Sequence, residues 1–383
     1  MGKGSMEPIY MDMAATTPVS KRVSSVVTRY MVEEFGNAGS RTHEWGTMAK
    51  KAVGQARKTI AEEAGCAPEE VIFTSGATEA DNIALLGLAP YGEAHGRMHI
   101  ISCATEHKAV LEPLEHLATK GFEVELLQPD DGGRLSAEAV MDRVREDTLL
   151  VSLMHVNNET GVRHPVADIA HALRSTATYF HVDAAQSFAK WAQEDFQAPI
   201  DLVSISGHKL GAPKGIGALI TRRRGYRRPP LEPLMFGGGQ ERSLRPGTLS
   251  VALIAGLAEA VRERRDTHQE WLEDTVDFRR RIMALVASLG GVFNGDQHDV
   301  APHILNVSIP GVDSEALIVA LRDVAAVAAG SACTSSRYTP SHVLTAMGLD
   351  EDRVAGAIRL SWWGNPLEDL SPIEGTMRSL LPS

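Results

Sequence analysis

The sequence predicts an α/β protein: a large domain on a mostly parallel central sheet and a smaller α/β C-terminal domain. Three observations carry this. Between Val71 and Ile220, short β-rich runs alternate with helical patterns. The first five of those runs end in small or polar residues, and beyond Pro246 long helical periodicity takes over.

In chain order the runs are Val71-Ile72-Phe73, His99-Ile100-Ile101, Leu149 to Met154, Tyr179 to Val182, Leu202 to Ile205 and Ala218-Leu219-Ile220. Strands that alternate with helices mark βαβ units and hence parallel pairing. The clusters that close the first five begin at Thr74, Thr105, Asn157, Asp183 and Ser206. In open α/β sheets ligands bind beyond the carboxyl ends of the strands, so these clusters predict one shared site. Residues 250 to 290 read as long helices, with Leu253, Ile254, Leu257 and Ala260 at helical spacing. A strand over 303 to 309, a helix from about Ser314 to Asp323 and a strand near 325 follow. The division falls near residue 260, giving a large domain over 1–260 and a small one over 261–383, with the N-terminal arm contributing to the latter.

A formal charge of −11 argues against broad binding to a phosphate backbone, so no nucleic-acid partner is expected. The basic cluster Arg222-Arg223-Arg224 with Arg227-Arg228 reads as a solvated turn. No apolar run approaches the roughly 18 residues of a spanning helix. Met1 to Tyr10 lacks the apolar stretch of a signal peptide, and Gly2 to Ser5 reads as an addition ahead of Met6. The expected location is the cytoplasm, without a membrane partner. Three cysteines, Cys66, Cys103 and Cys333, make neither a disulfide framework nor a metal-ligand pattern, so no metal is expected.

Particular residues then suggest chemistry. Lys209 follows the apolar run Leu202 to Ile205, where a buried charge is costly unless paired or removed. Desolvation frees such an amine for Schiff-base chemistry with an aldehyde cofactor; the plainer reading is a lysine that reaches solvent or a carboxylate. Asp183 ends another central run and needs a cation, which a protonated pyridine nitrogen or Lys209 itself could be. Ser75-Gly76-Ala77-Thr78 leads into a helix opening near Glu79 and has the form of an anion site, although many such turns are only structural. His107 opens a helix running to about Lys120 and could lie over a planar ring. Cys333 lies among small residues, Gly330 to Ser336, as a reactive loop thiol would. Cys103 reads as inert core, and Cys66 as part of a turn before Pro68. Arg359, on the β-like stretch Ala357 to Ser361, is either a clamp for a carboxylate or an ordinary ion-pair partner.

Together these segments resemble the cysteine desulfurases, the NifS/IscS type within the class-V aminotransferase group. The resemblance runs from Asp12-Met13-Ala14-Ala15-Thr16-Thr17-Pro18 to Ile358-Arg359-Leu360-Ser361. It is most specific at Thr105-Glu106-His107-Lys108, His155 to Glu159, His181-Val182-Asp183-Ala184, Ser206-Gly207-His208-Lys209 and Ser331-Ala332-Cys333-Thr334. The resemblance implies a homodimeric pyridoxal 5'-phosphate enzyme of fold type I that moves sulfur from L-cysteine onto Cys333 for a protein acceptor, releasing L-alanine. It implies that Lys209 carries the cofactor, Asp183 pairs with its ring nitrogen and His107 stacks on the ring. Asn158 and Gln186 would position the ring. Ala77, Thr78, Ser206 and His208 would hold the phosphate, with Thr248 of a neighbouring subunit. Arg359 with Asn37 would grip the substrate carboxylate.

The sequence departs from the family pattern at Ala38, Gln240, Pro246 and Trp362-Trp363, none of which touches Lys209, Asp183 or Cys333. These departures suggest a specialised branch, the DndA type that supplies sulfur for DNA phosphorothioation; iron–sulfur assembly and tRNA thiolation stay open. The alternatives are a selenocysteine lyase or another class-V enzyme that does not depend on Cys333, and a catalytically dead scaffold of the same fold.

Overall fold

The computed structural model describes residues 7–329 and 340–381. Seven strands build its main sheet: β1 (Val71–Thr74), β2 (His99–Cys103), β3 (Glu123–Leu127), β4 (Thr148–Met154), β5 (Tyr179–Asp183), β6 (Leu202–Ser206) and β7 (Gly217–Thr221). Their order is β1-β7-β6-β5-β4-β2-β3. The run β6-β5-β4-β2-β3 is parallel throughout, and only β7 opposes its two neighbours.

The strands β1, β2, β4, β6 and β7 are buried at every residue, which is why they read as continuous apolar runs. Strand β3 is the exception. It lies at the sheet edge, half exposed, with Glu123 and Glu125 on it, and the sequence reading passed over it. Because β1, β2, β4, β5 and β6 point the same way, the turns after them meet at one edge of the sheet.

A second apolar core gathers Phe278, Ile282, Leu305, Val307, Ile358 and Trp362. Its sheet is antiparallel, in the order β10-β11-β9-β8, from β8 (Val292–Phe293), β9 (Ile304–Ser308), β10 (Ala328–Ala329) and β11 (Ala357–Ser361). The N-terminal stretch Ile9–Tyr10 pairs with Ala325–Ala326, and Met11 packs into this second core.

Where several helices were expected, one 38-residue helix, Val251–Ser288, joins the two cores. No proline interrupts it. Its first turns, through Val261, pack on the main core, and Phe278, Ile282 and Val286 pack on the second.

The basic cluster is also not the solvated turn expected of it. Arg222 donates to the carbonyls of Ala64, Ala198 and Phe196, and Arg224 pairs with Asp201 at 2.6 Å. A guanidinium has a long stem and five donors, so it can reach back from a surface turn and tie down carbonyls that the sheet leaves open. Arg227 and Arg228 do remain exposed.

Candidate active site

The converging turns enclose a cavity of about 490 Å³. Of the residues singled out above, Ala77, Thr78, His107, Asn158, Asp183, Gln186, Ser206, His208, Lys209 and Arg359 line it. Each arrives there for a local reason.

At one end, the helix Ala77–Leu86 starts directly after β1 and presents its first-turn N–H groups to the cavity. Close backbone packing sets that end. A Cβ on Gly217 of β7 would come within 2.6 Å of Gly76 Cα and 2.3 Å of the Ile205 carbonyl oxygen. Glu79 accepts from Ser75 N at 2.5 Å and from Arg245 at 2.8 Å, bracing the turn. On the same side, His208 places Nδ1 3.1 Å from Thr16 Oγ1. Burial, then the charges of Lys209, Lys214 and Lys190, hold that imidazole down to about 4, so it is neutral near pH 7.

Asp183 ends β5 and is 6% exposed. Its Oδ1 accepts the Ala185 N–H at 2.8 Å, and no cation pairs with it among the described residues. Burial, then the nearby Asp81 carboxyl, raises its pKa to about 6. The alternative of an Asp183–Lys209 ion pair is not formed, because Lys209 turns its Nζ to the Ala14 carbonyl instead. Gln186 Nε2 donates to that same carbonyl at 2.9 Å.

His107 caps the helix Lys108–Thr119, accepting the Ala109 N–H on Nδ1 at 3.1 Å. Nδ1 is therefore the lone-pair nitrogen, and the neutral ring keeps its proton on Nε2. Burial lowers its pKa, partly offset by Asp183.

Arg359 on β11 is 1% exposed and pairs with Asp12 at 2.8 Å, while also donating to the Asn158 carbonyl at 3.0 Å. The ordinary ion pair is thus present, yet Nε has no partner and the side chain still lines the cavity.

Two expected residues do not line this cavity, and a third lies outside the described residues. Asn37 lines a separate one with Phe35, His43 and Trp45, and its Oδ1 closes its own turn on the Gly39 N–H. Thr248 is exposed, just before the long helix. Cys333 lies outside the described residues. Cys103 is buried in β2, and burial pushes its thiol up to about 12; Cys66 is pushed up to about 12 in the same way. Neither is a thiolate near neutral pH.

The reading of the sequence also missed a residue. Asp81, on the helix Ala77–Leu86, lines the cavity with both carboxyl oxygens buried, and Ser204 is the neighbour that favours its charged form. Its nearest basic atom is His181 Nε2 at 3.4 Å. That imidazole already faces Ser204 Oγ at 3.0 Å, and burial keeps it neutral by lowering it to about 4. Burial likewise pushes Asp81 up to about 8. An aspartate in the pattern Glu79-Ala80-Asp81-Asn82-Ile83 falls between two apolar positions, a weak cue for burial.

A raised folded pKa means that stability is lost as pH climbs from the ordinary carboxylate value toward 8, since the unfolded chain releases the proton first. Asp81→Asn removes that penalty. Its melting temperature should exceed the parent's, by a margin that widens between pH 5 and pH 8 at up to about 1.4 kcal/mol per pH unit. A margin that does not change with pH would show Asp81 ionised in the fold.

A planar cofactor with a protonated ring nitrogen and a phosphate suits these features. Asp183 is a buried carboxylate facing the cavity with no cation paired to it among the described residues, and a helix start suited to an anion lines the same cavity.

The comparisons agree. Residues 9–365 match the Aminotransferase class-V family, and the chain belongs to it. The family is pyridoxal-phosphate-dependent, and so is this chain. Among its relatives is the cysteine desulfurase IscS of Vibrio campbellii, 44% identical over 358 residues, or 93% of this chain and 88% of that protein. The crystal structure of DndA from Streptomyces lividans is 59% identical with a TM-score of 0.82, covering 93% of this chain and 99% of that one. A structure of SspA in complex with cysteine is 34% identical with a TM-score of 0.80, covering 94% of this chain and 100% of that one.

Proposed function

We infer that the chain is a cysteine desulfurase, which takes sulfur from L-cysteine and releases L-alanine. The observation that carries this is the buried Asp183 carboxylate, uncompensated by any cation among the described residues, facing the cavity that Lys209 also lines. The IscS relative and the DndA and NifS-like structures support the same activity. When bound, pyridoxal phosphate supplies an electron sink for the bonds at the substrate Cα.

The chain's own residues do the rest. Lys209 would hold the cofactor, and its amine would serve as the base at the substrate Cα proton. Asp183 keeps the ring nitrogen charged, and Gln186 and Asn158 orient the ring. His107, protonated on Nε2, would face the ring and hold or return a proton there. Ala77, Thr78, Ser206 and His208 would grip the phosphate, and Arg359, which lines the cavity, would bind the substrate carboxylate. Asn37 joins it only if its loop approaches, so we give Asn37 the lesser part. The Cys333 thiolate takes the sulfur: the C–S bond breaks, an S–S bond forms, and the electron pair left on carbon is protonated to give alanine.

Incubating the protein with L-cysteine and a reductant should yield alanine and sulfide in equal amounts. Turnover of selenocysteine alone would point to the lyase instead. The division into domains at 1–260 and 261–383, a cytoplasmic location and a protein acceptor belong to the same proposal. Supply of sulfur to DNA phosphorothioation is favoured by the 59% identity to DndA, against 44% to IscS. Deleting the gene should then remove sulfur from the DNA backbone and leave tRNA thiolation intact.

A homodimer is supported by apolar side chains left in solvent: Phe236 is 88% exposed, Phe35 67% and Trp45 52%. In the dimer, exposed Thr248 reaches the neighbour's phosphate site. Thr248→Ala should loosen the cofactor modestly, by about 0.5–1.5 kcal/mol for one neutral hydrogen bond. Cofactor content should also fall with dilution into monomer. A stable monomer with full cofactor content, seen by light scattering and absorbance, would remove Thr248 from the site.

A further inference from the structure

Lys190 is a buried amine to which the chemistry above gives no role. It is 2% exposed, and no carboxylate among the described residues forms an ion pair with it. The charged groups that face it are Lys209 and Arg264, with His303 beyond. All three are cations or neutral, and burial drives the amine well below its ordinary range. The backbone around it is strained as well, because Ala189 and Ala192 both take left-handed conformations, with φ of 55° and 53°.

A buried polar group without a counter-charge costs stability, and an apolar stem of equal length would cost less. Its one side-chain contact leads toward the site. Lys190 Nζ meets Gln186 Oε1 at 3.4 Å. Gln186 Nε2 donates to the Ala14 carbonyl at 2.9 Å, and Lys209 Nζ donates to that carbonyl too. An amide between an amine that can donate and a carbonyl that can only accept has one favoured orientation, since a flip would set Oε1 against the Ala14 carbonyl oxygen.

We propose that Lys190 is a positioning residue of the cofactor site, locking the Gln186 amide with its NH₂ toward Ala14 and the cavity and so setting the ionisation at Lys209. This rests on Lys209 and Gln186 holding the cofactor as described above. Without Lys190, Oε1 loses its donor and the amide is held at one end only, by the Ala14 carbonyl. The donor that steadies a negative oxygen in the cavity is then weakened, and the protonated form at Lys209 is favoured.

The test is a pH titration of the visible absorption band of the holoenzyme, with a parallel thermal melt of the cofactor-free protein. Lys190→Met should raise the midpoint of the band by about half a pH unit or more, while the melting temperature of the cofactor-free variant stays equal or rises. A lysine with only a structural part would change the melting temperature and leave the midpoint in place, and an unmoved or lowered midpoint overturns the proposal. Should Lys190→Met fail to fold, Gln186→Leu cuts the same chain and must raise the midpoint; if it does not, the proposal falls equally. Failure of the underlying reading looks different, because the parent protein would then show no titrating band at all.

Discussion

Lys209→Ala is expected to abolish turnover of L-cysteine, by more than about 10³-fold, since under the proposed function the same amine would hold the cofactor and move the Cα proton. The variant should still fold, because Lys209 lies in a short turn after β6, Gly207–Lys209, and leaves the sheet itself untouched. Borohydride treatment of the parent should attach the cofactor to Lys209 alone. Lys214 is the informative control, as it lines the same cavity, and label on Lys214 would overturn the assignment of the whole site. The structural reason for preferring Lys209 is its neighbourhood. It shares the Ala14 carbonyl with Gln186, and its charge is felt at both His107 and His208.

Cys333→Ser separates the desulfurase from its alternatives. The variant should keep the yellow cofactor and still respond to L-cysteine by a change in its visible band. Passage of sulfur to an acceptor should fall by about 10²-fold or more, because the reaction loses its nucleophile while binding is retained. Residual release of alanine at the parent rate would favour a lyase that does not depend on Cys333.

Much of this was legible in the sequence because the main sheet is covered on both faces. Burial on both sides makes β1, β2, β4, β6 and β7 continuous apolar runs, and the polar ends of β1, β2, β4, β5 and β6 mark the cavity directly. Strand β3 was hidden by its exposed edge position, and the two-residue strands of the second sheet are too short to show a period. His107 was placed correctly as a helix opener, whereas its tautomer needed the Ala109 N–H to be seen.

Asp81 and Lys190 escaped notice for another reason. A charged residue within a helix or a turn reads as solvated unless the chain that folds over it is known. Lys190 does sit in the apolar run Phe188-Ala189-Lys190-Trp191, and that was the available cue. Arg222 and Arg224 were misread for the same cause, since their partners at Ala64, Ala198 and Asp201 are remote in sequence. Asn37 and Thr248 came from the resemblance alone, and a single chain does not bring them to the cavity.

The most direct measurement brings the sulfur itself into view. The protein is treated briefly with L-cysteine, alkylated, digested and examined by mass spectrometry. One added sulfur should appear on the peptide carrying Cys333 and on no other. Cys103 is buried, and the thiols of both Cys66 and Cys103 are held near 12, so neither offers a thiolate to receive it. Added sulfur on Cys103, or unmodified Cys333 while alanine accumulates, would contradict sulfur transfer through Cys333.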